Sequence, residues 1–142
     1  MTSVLIVIPA HNEEGVIENN VRALHGFCLQ NLESYDWNIL IASNGSSDDT
    51  ALIGVRLSSE LARLRVVDFP EGGRGRTLRR VWEGANQDIL VYMDSDLSTD
   101  LAALPKLIGE IESGASLAYG SRFARGARVE RVLVRQAGPL RV

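Results

Sequence analysis

Ile89-Leu90-Val91-Tyr92-Met93-Asp94-Ser95-Asp96 is a run of five apolar residues that ends on two carboxylates. An unbroken apolar run of this length reads as a strand covered on both faces, as in parallel sheets. The two aspartates then stand at its exposed end, one residue apart. Carboxylates placed so close repel each other unless something positive lies between them. A hard divalent cation meets that need: Mg2+ or Mn2+ takes such oxygen ligands and completes its shell with phosphate oxygens and water. Turn capping by aspartate is the other use of the same pattern.

Outward from this segment, similar strands recur between helix-period stretches. Val4-Leu5-Ile6-Val7-Ile8, Asn38-Ile39-Leu40-Ile41-Ala42, Leu64-Arg65-Val66-Val67-Asp68 and Leu117-Ala118-Tyr119 read as strands. Ile17, Val21, Leu24 and Cys28 recur at helical spacing in a helix expected from Glu13 to about Gln30. Further helices are expected after Asp48 or Asp49, from Arg76 to Ala85, and from a cap at Thr99 or Asp100 through Ile111. Strands alternating with helices predict a mostly parallel sheet with helices on both faces. Ligands of such sheets bind beyond the carboxyl ends of the strands. Polar clusters follow the strands directly at Pro9 to Glu13, Ser43 to Asp49, Asp94 to Ser98 and Gly120 to Arg122, so these loops are expected to converge on one site. No strand is expected after Arg122.

In the first of these loops, Pro9-Ala10-His11-Asn12-Glu13, Asn12 can cap the following helix or hydrogen-bond a base or ribose. Asn44 can present a donor and an acceptor to a nucleobase edge, or close an Asx turn. The stretch Gly72-Gly73-Arg74-Gly75-Arg76 lacks the third glycine of G-x-G-x-x-G, and no Walker A sequence occurs. Its arginines Arg74 and Arg76, with Arg79 and Arg80 beyond, can approach a phosphate or form a solvated helix start, and a charge run of this kind favours the second reading. No zinc signature or nucleophile elbow is present, and His25 reads as an ordinary helix residue.

The 142 residues, 45% hydrophobic and 23% charged, suit one folded domain over residues 1–142 and argue against disorder. One cysteine, Cys28, excludes an internal disulfide, and no apolar run approaches the ~18 residues of a membrane span. A cytoplasmic location is therefore expected. The net charge of −3 hides an asymmetry: Arg122 to Arg141 holds six arginines and one acid, Glu130, a local +5 that leaves −8 elsewhere. Arg122, Arg125, Arg128, Arg131 and Arg135 would form one stripe on a helix. Such a stripe faces either solvent or an anionic partner. A nucleic acid is not expected, because only Phe123 offers a stacking surface nearby.

Taken together, these motifs resemble family 2 glycosyltransferases of GT-A fold. Val7-Ile8-Pro9-Ala10-His11-Asn12-Glu13-Glu14 is similar to their P-x-Y-N-E opening. Ala42 to Thr50 resembles their D-D-G-S-x-D-x-T loop, and Gly73-Arg74-Gly75-Arg76-Thr77-Leu78-Arg79 a G-K-G-x-x-L-R-like turn. Tyr92 to Thr99 resembles the D-x-D-L segment, in a D-L-S-T form like that of dolichyl-phosphate glucosyltransferases. Gly120-Ser121-Arg122-Phe123 resembles the G-S-R that follows. The enzymes most resembled glycosylate a dolichyl or other polyprenyl phosphate, among them the dolichol-phosphate mannosyltransferases.

The resemblance implies inverting transfer from a nucleotide-diphosphate sugar, a UDP- or GDP-hexose, with Mg2+ or Mn2+ as cofactor. It places Pro9, His11, Glu13, Ala42 and Asn44 around the nucleoside and Asp94 and Asp96 on the metal, with Ser95 and Ser98 beside them. Asp96, Arg122 and Arg131 become the catalytic candidates, the arginines toward the acceptor phosphate. The basic stretch could then meet a membrane surface at its cytoplasmic face. Three positions depart from the pattern: His11 replaces tyrosine, Ser43-Asn44 replaces an Asp-Asp pair, and Ser98 replaces a glutamine. The family's chains ordinarily continue beyond such a domain, so the acceptor side is expected to be incomplete. A nucleotide-sugar-binding domain without turnover and a transferase acting on a saccharide hydroxyl are the alternatives. For the hydroxyl acceptors, the family's later catalytic acid and Q-x-x-R-W are not found here.

Overall fold

The structure is a computed structural model describing residues 1–97, 100–120 and, as backbone alone, 132–136. Six strands form one sheet: β1 (Ser3–Ala10), β2 (Asp36–Asn44), β3 (Leu64–Phe69), β4 (Ile89–Met93), β5 (Leu117–Tyr119) and β6 (Val132–Gln136). Their spatial order is β3-β2-β1-β4-β6-β5. The first four are mutually parallel, and β6 runs antiparallel to both β4 and β5. The helices are α1 (Ile17–Asn31), α2 (Thr50–Glu60), α3 (Arg74–Glu83) and α4 (Ala103–Glu112). The expected mostly parallel α/β sheet is thus present.

The strands form because their side chains are covered on both faces. On one face Val4, Ile6 and Ile8 of β1 join Ile39, Ile41, Val91 and Met93 in the main core. Ile17, Val21, Leu24 and Cys28 of α1, Leu57 of α2, and Leu104, Ile108 and Ile111 of α4 close over them. On the other face Leu5, Val7, Ala42 and Leu90 meet Leu78, Val81 and Trp82 of α3. Period-2 alternation along β1 therefore feeds both cores, which explains why the strand reads as continuously apolar. At Gly54 an added Cβ would stand 2.7 Å from Val66 Cγ2, so glycine lets α2 lie close against β3. Burial pushes the Cys28 thiol up to about 12, making it a packing residue with no thiolate chemistry at neutral pH.

Several sequence expectations need correction. A sixth strand, β6, follows the arginine-rich stretch and inserts between β4 and β5. Arg135 lies on that strand, so the five arginines cannot share one helical face. Helix α1 begins at Ile17, not Glu13, and Val16 at its start offers no side-chain cap. Asn12 is spent elsewhere, as described below. Helix α4 begins at Ala103, and Asp100 instead accepts the Ala102 N–H at 3.0 Å one turn earlier.

Candidate donor-binding site

Beyond the carboxyl ends of β1, β2, β3 and β4 lies a cleft of about 280 Å3. Each parallel strand sends its own loop there. Pro9, His11 and Glu13 come from the end of β1 and the loop after it, Asn44 ends β2, Gly72, Gly73 and Arg74 follow β3, and Asp94 and Ser95 follow β4. The cleft sits where the chain order reverses, with β2 on one side of β1 and β4 on the other. That is the crevice in which open α/β sheets hold their ligands.

The first two loops are stitched to each other. Asn12, at φ 51°, accepts the Ser47 N–H on Oδ1 at 2.8 Å, while its own N–H goes to Ser46 Oγ at 3.1 Å. Glu13 N–H donates to Thr50 Oγ1 at 2.9 Å, Glu14 N–H to Asp48 Oδ2 at 3.2 Å, and Asp49 N–H to Glu14 Oε2 at 3.0 Å. His11 Nδ1 donates to the Asn44 carbonyl at 2.8 Å, which turns Nε2 away from β2. The backbone groups expected to start a helix are therefore satisfied across the loops, which is why α1 starts later.

Asn44 is buried, and its amide is committed inside the protein. Nδ2 donates to the carbonyls of Ala10 at 3.1 Å and Ala42 at 3.2 Å, and Oδ1 accepts the Gly73 N–H at 3.0 Å. One side chain thus ties together β1, β2 and the loop after β3. Gly45 completes the junction: its φ is 59°, and an added Cβ would stand 2.7 Å from Gly72 N. Only glycine fits that backbone conformation and that approach without strain.

On the other side of the cleft, Asp94 to Leu97 forms a tight turn. Leu97 N–H reaches the Asp94 carbonyl at 3.2 Å, and Asn20 Nδ2 of α1 anchors the Ser95 carbonyl at 2.8 Å. Ser95 is buried and Asp96 is exposed. Asp94 is partly buried; its Oδ1 accepts from Tyr92 Oη and stands 3.4 Å from Arg74 Nη1. Burial, and then Asp94, push the Tyr92 phenol up to about 12, so it stays a proton donor at neutral pH.

Among the described residues no three His, Cys, Asp or Glu side chains come together as a metal cage. Two carboxylates on one turn beside a cleft suit Mg2+ or Mn2+, which keep water and borrow phosphate oxygens, better than a metal that demands a full protein shell. Asp94 and Asp96 are the residues that would hold such an ion.

The structure therefore gathers Pro9, His11, Glu13, Asn44, Asp94 and Ser95 around one cleft. Ala42 lies fully buried in the smaller core, and Asp96 is exposed and is not among the residues that line the cleft. Ser98, Arg122 and Arg131 lie outside the described residues. Sequence reasoning leaves Gly72, Gly73 and Arg74 out of the site, because their composition favours a solvated charge run. Their position directly after a parallel strand was the signal that could have found them. That charge-run reading does describe their neighbours: Arg76 and Arg80 pair with Glu71, and Arg79 pairs with Glu83.

Comparison with known proteins agrees with this geometry. The chain is 38% identical over 126 residues to the glycosyltransferase AglD of Haloferax volcanii, covering 84% of this chain and 20% of AglD. It is 30% identical over 127 residues to the dolichol-phosphate mannosyltransferase of Pyrococcus furiosus, covering 89% of this chain and 35% of that protein. The chain thus spans a minor part of the length of these relatives. Its fold matches that of glucosyl-3-phosphoglycerate synthase from Mycobacterium tuberculosis, solved with Mn2+, UDP and phosphoglyceric acid. The TM-score is 0.68 at 20% identity, over 96% of this chain and 56% of that one. That likeness establishes the GT-A type of fold. Residues 5–136 match the model of glycosyl transferase family 2, and to that family the chain belongs.

Proposed function

We propose that the chain binds a nucleotide-diphosphate sugar, a UDP- or GDP-hexose, for inverting transfer to a polyprenyl or dolichyl phosphate. The observation that carries this reading is the convergence of Pro9, His11, Glu13, Asn44, Asp94 and Ser95 on one cleft, with Asp96 next in the same turn. The names of relatives support the acceptor class, one being a dolichol-phosphate mannosyltransferase. A related fold holding Mn2+ with UDP supports the cofactor class.

Each part of the cleft then has a task. Pro9, His11 and Glu13 receive the nucleoside on a frame that Asn44 fixes from below. Asp94 and Asp96 hold a divalent cation, which supplies charge neutralisation for the departing diphosphate. Arg74, which lines the same cleft, is assigned to that diphosphate. Arg122 and Arg131 are assigned to the acceptor phosphate, where guanidinium forks bind and orient phosphate well. A phosphate monoester, with a second pKa of about 6, is largely ionised at neutral pH and needs no general base. The arginine-rich stretch that carries these residues also suits an anionic membrane surface, where such acceptors reside. Among the described residues no helix is long and apolar enough to cross a membrane.

The test is thermal melting with UDP, GDP and dTDP, each with Mn2+ and with chelator, for the wild type and Asp96→Ala. A ligand at ~100 times its dissociation constant stabilises the native state by about 2.7 kcal/mol. A Mn2+-dependent shift with one nucleotide, lost in Asp96→Ala, is the expected result. No shift with any nucleotide would remove the donor-site assignment. Given a shift, transfer of the sugar to a polyprenyl phosphate then decides the acceptor, and binding without transfer would reduce the function to donor capture.

A further inference from the structure

Asp94 already carries a positive partner. Arg74 Nη1 stands 3.4 Å from Asp94 Oδ1, the oxygen to which Tyr92 Oη also donates. Arg74 is the first residue of α3, and its side chain is 64% exposed, so it is a long arm reaching in from the rim. The other arginines of α3 behave differently. Arg76 and Arg80 pair with Glu71, and Arg79 with Glu83, all within α3 or the loop that leads into it. Arg74 instead crosses the cleft to the loop of another strand.

A guanidinium and a divalent cation cannot share a carboxylate oxygen at close range without repelling each other. A guanidinium beside a carboxylate compensates its charge and so competes with any other cation for it. Arg74 supplies that compensation here. It is poised to leave as well, because a diphosphate in the same cleft offers the fork a better, doubly acceptor-rich partner.

We propose that Arg74 is a built-in competitor for the divalent cation at Asp94, released when a donor diphosphate engages its guanidinium. Nucleotide and cation binding are thereby coupled through this one side chain. The coupling is reciprocal: nucleotide tightens cation binding by the same factor as cation tightens nucleotide binding. This inference rests on the donor-site reading above and adds a positioning role that neither the cleft alone nor the metal pair alone requires.

The experiment measures free Mn2+ by electron paramagnetic resonance during titration, with and without the nucleotide found by melting. It uses the wild type, Arg74→Gln, Arg74→Lys and Arg76→Gln. Without nucleotide, Arg74→Gln is expected to bind Mn2+ about fivefold more tightly, the scale of a partly exposed ion pair. Arg74→Lys, which keeps the charge but loses the fork, should fall between it and the wild type. Arg76→Gln removes the same charge from the same helix and should leave Mn2+ affinity unchanged, which separates contact competition from the general field. The tightening of Mn2+ binding by nucleotide should shrink several-fold in Arg74→Gln. Equal or weaker Mn2+ binding by Arg74→Gln, in a protein whose wild type binds both ligands, overturns the inference alone. An equal gain in Arg76→Gln overturns it too. A wild type that binds neither Mn2+ nor nucleotide overturns the donor-site reading and this inference together.

Discussion

The two sides of the cleft are built on opposite plans. On the β1–β2 side, nearly every polar group named is already bonded to the protein, from Asn12 and Ser47 to Glu14, Asp48 and Asn44. On the β4 side, a short turn carries two aspartates, one partly buried in the cleft wall and one exposed, with an arginine from the rim as a counter-charge. The first side is finished before any ligand arrives. The second leaves an aspartate and the arginine arm exposed. Rigid loops spare a bound nucleoside the entropy of ordering them. Closely spaced carboxylates concentrate negative potential, which draws in a cation with its phosphate. Pre-organisation and charge imbalance therefore divide the work, and substitutions on the two sides should fail in different ways.

The sharpest way to break this contrast is Asn44→Ala. It strips two carbonyls and one N–H of their partner at a buried junction. Each buried group left unsatisfied costs on the order of 1–3 kcal/mol, part of which water recovers near the cleft, so a loss of about 3 kcal/mol in chemical denaturation is expected. Nucleotide binding should vanish with it. A loss under about 1 kcal/mol would show that the loops hold their places without this residue. Gly45→Ala attacks the same junction more gently. The positive φ and the approach of Gly72 together predict about 2 kcal/mol, read by the same unfolding curve.

How much of this could be read in the sequence follows from the same division. The strands were legible because β1, β2 and β4 are covered on both faces, which leaves continuous apolar runs such as Val4 to Ile8. The loops that form the site were legible because each follows a parallel strand. The uses of their side chains were not. Asn12 and Asn44 present the same amide to solvent, to a base or to a neighbouring loop, and only the tertiary approach of β1, β2 and Gly73 decides which. Arg74 was hidden among arginines of identical type, three of which are ordinary surface pairs. Strand β6 was missed because the arginine spacing around Val132-Leu133-Val134 suggested a helical stripe, whereas pairing with β4 imposes the strand. A stripe of charges carries no long-range pairing information, and here the pairing decides.

On the open side the effects should be smaller in stability and larger in binding. Tyr92→Phe removes one donor from Asp94 Oδ1 and keeps the buried ring. A loss of about 1 kcal/mol is expected from the unfolding curve, the usual worth of a single hydrogen bond. Asp94→Asn should stay within about 1 kcal/mol of the wild type, because its ion pair with Arg74 is partly solvated. The same variant should lose the Mn2+-dependent part of the nucleotide melting shift entirely. A variant that unfolds more readily than Asn44→Ala would mean that the cation side, not the stitched side, holds the loops together.

The smallest expected effect concerns acid, and it probes the stitched side alone. Burial raises the Asp48 carboxyl, but hydrogen bonds from the Thr50 hydroxyl and N–H and from Glu14 N–H outweigh it and hold the group below its ordinary 3.8. A carboxylate depressed in the folded state stabilises that state above its unfolded pKa. The contribution fades as pH falls through that value toward the folded one. A melting curve followed downward from pH 6 should therefore lose stability from about pH 4, near the unfolded value. Asp48→Asn should flatten part of that slope while lowering stability slightly at neutral pH. Nucleotide affinity measured along the same series should weaken with the melt, since Glu14 and Thr50 lie in the loops that Asp48 joins. An unchanged slope in Asp48→Asn would assign the acid sensitivity elsewhere, first to Glu18, which Arg56 and then Arg22 hold at about 2. That pair of arginines ties α1 to α2, Arg22 through Glu60 and Arg56 through Glu18, so the order of the stitched side would then come from its helices and not from its own hydrogen bonds.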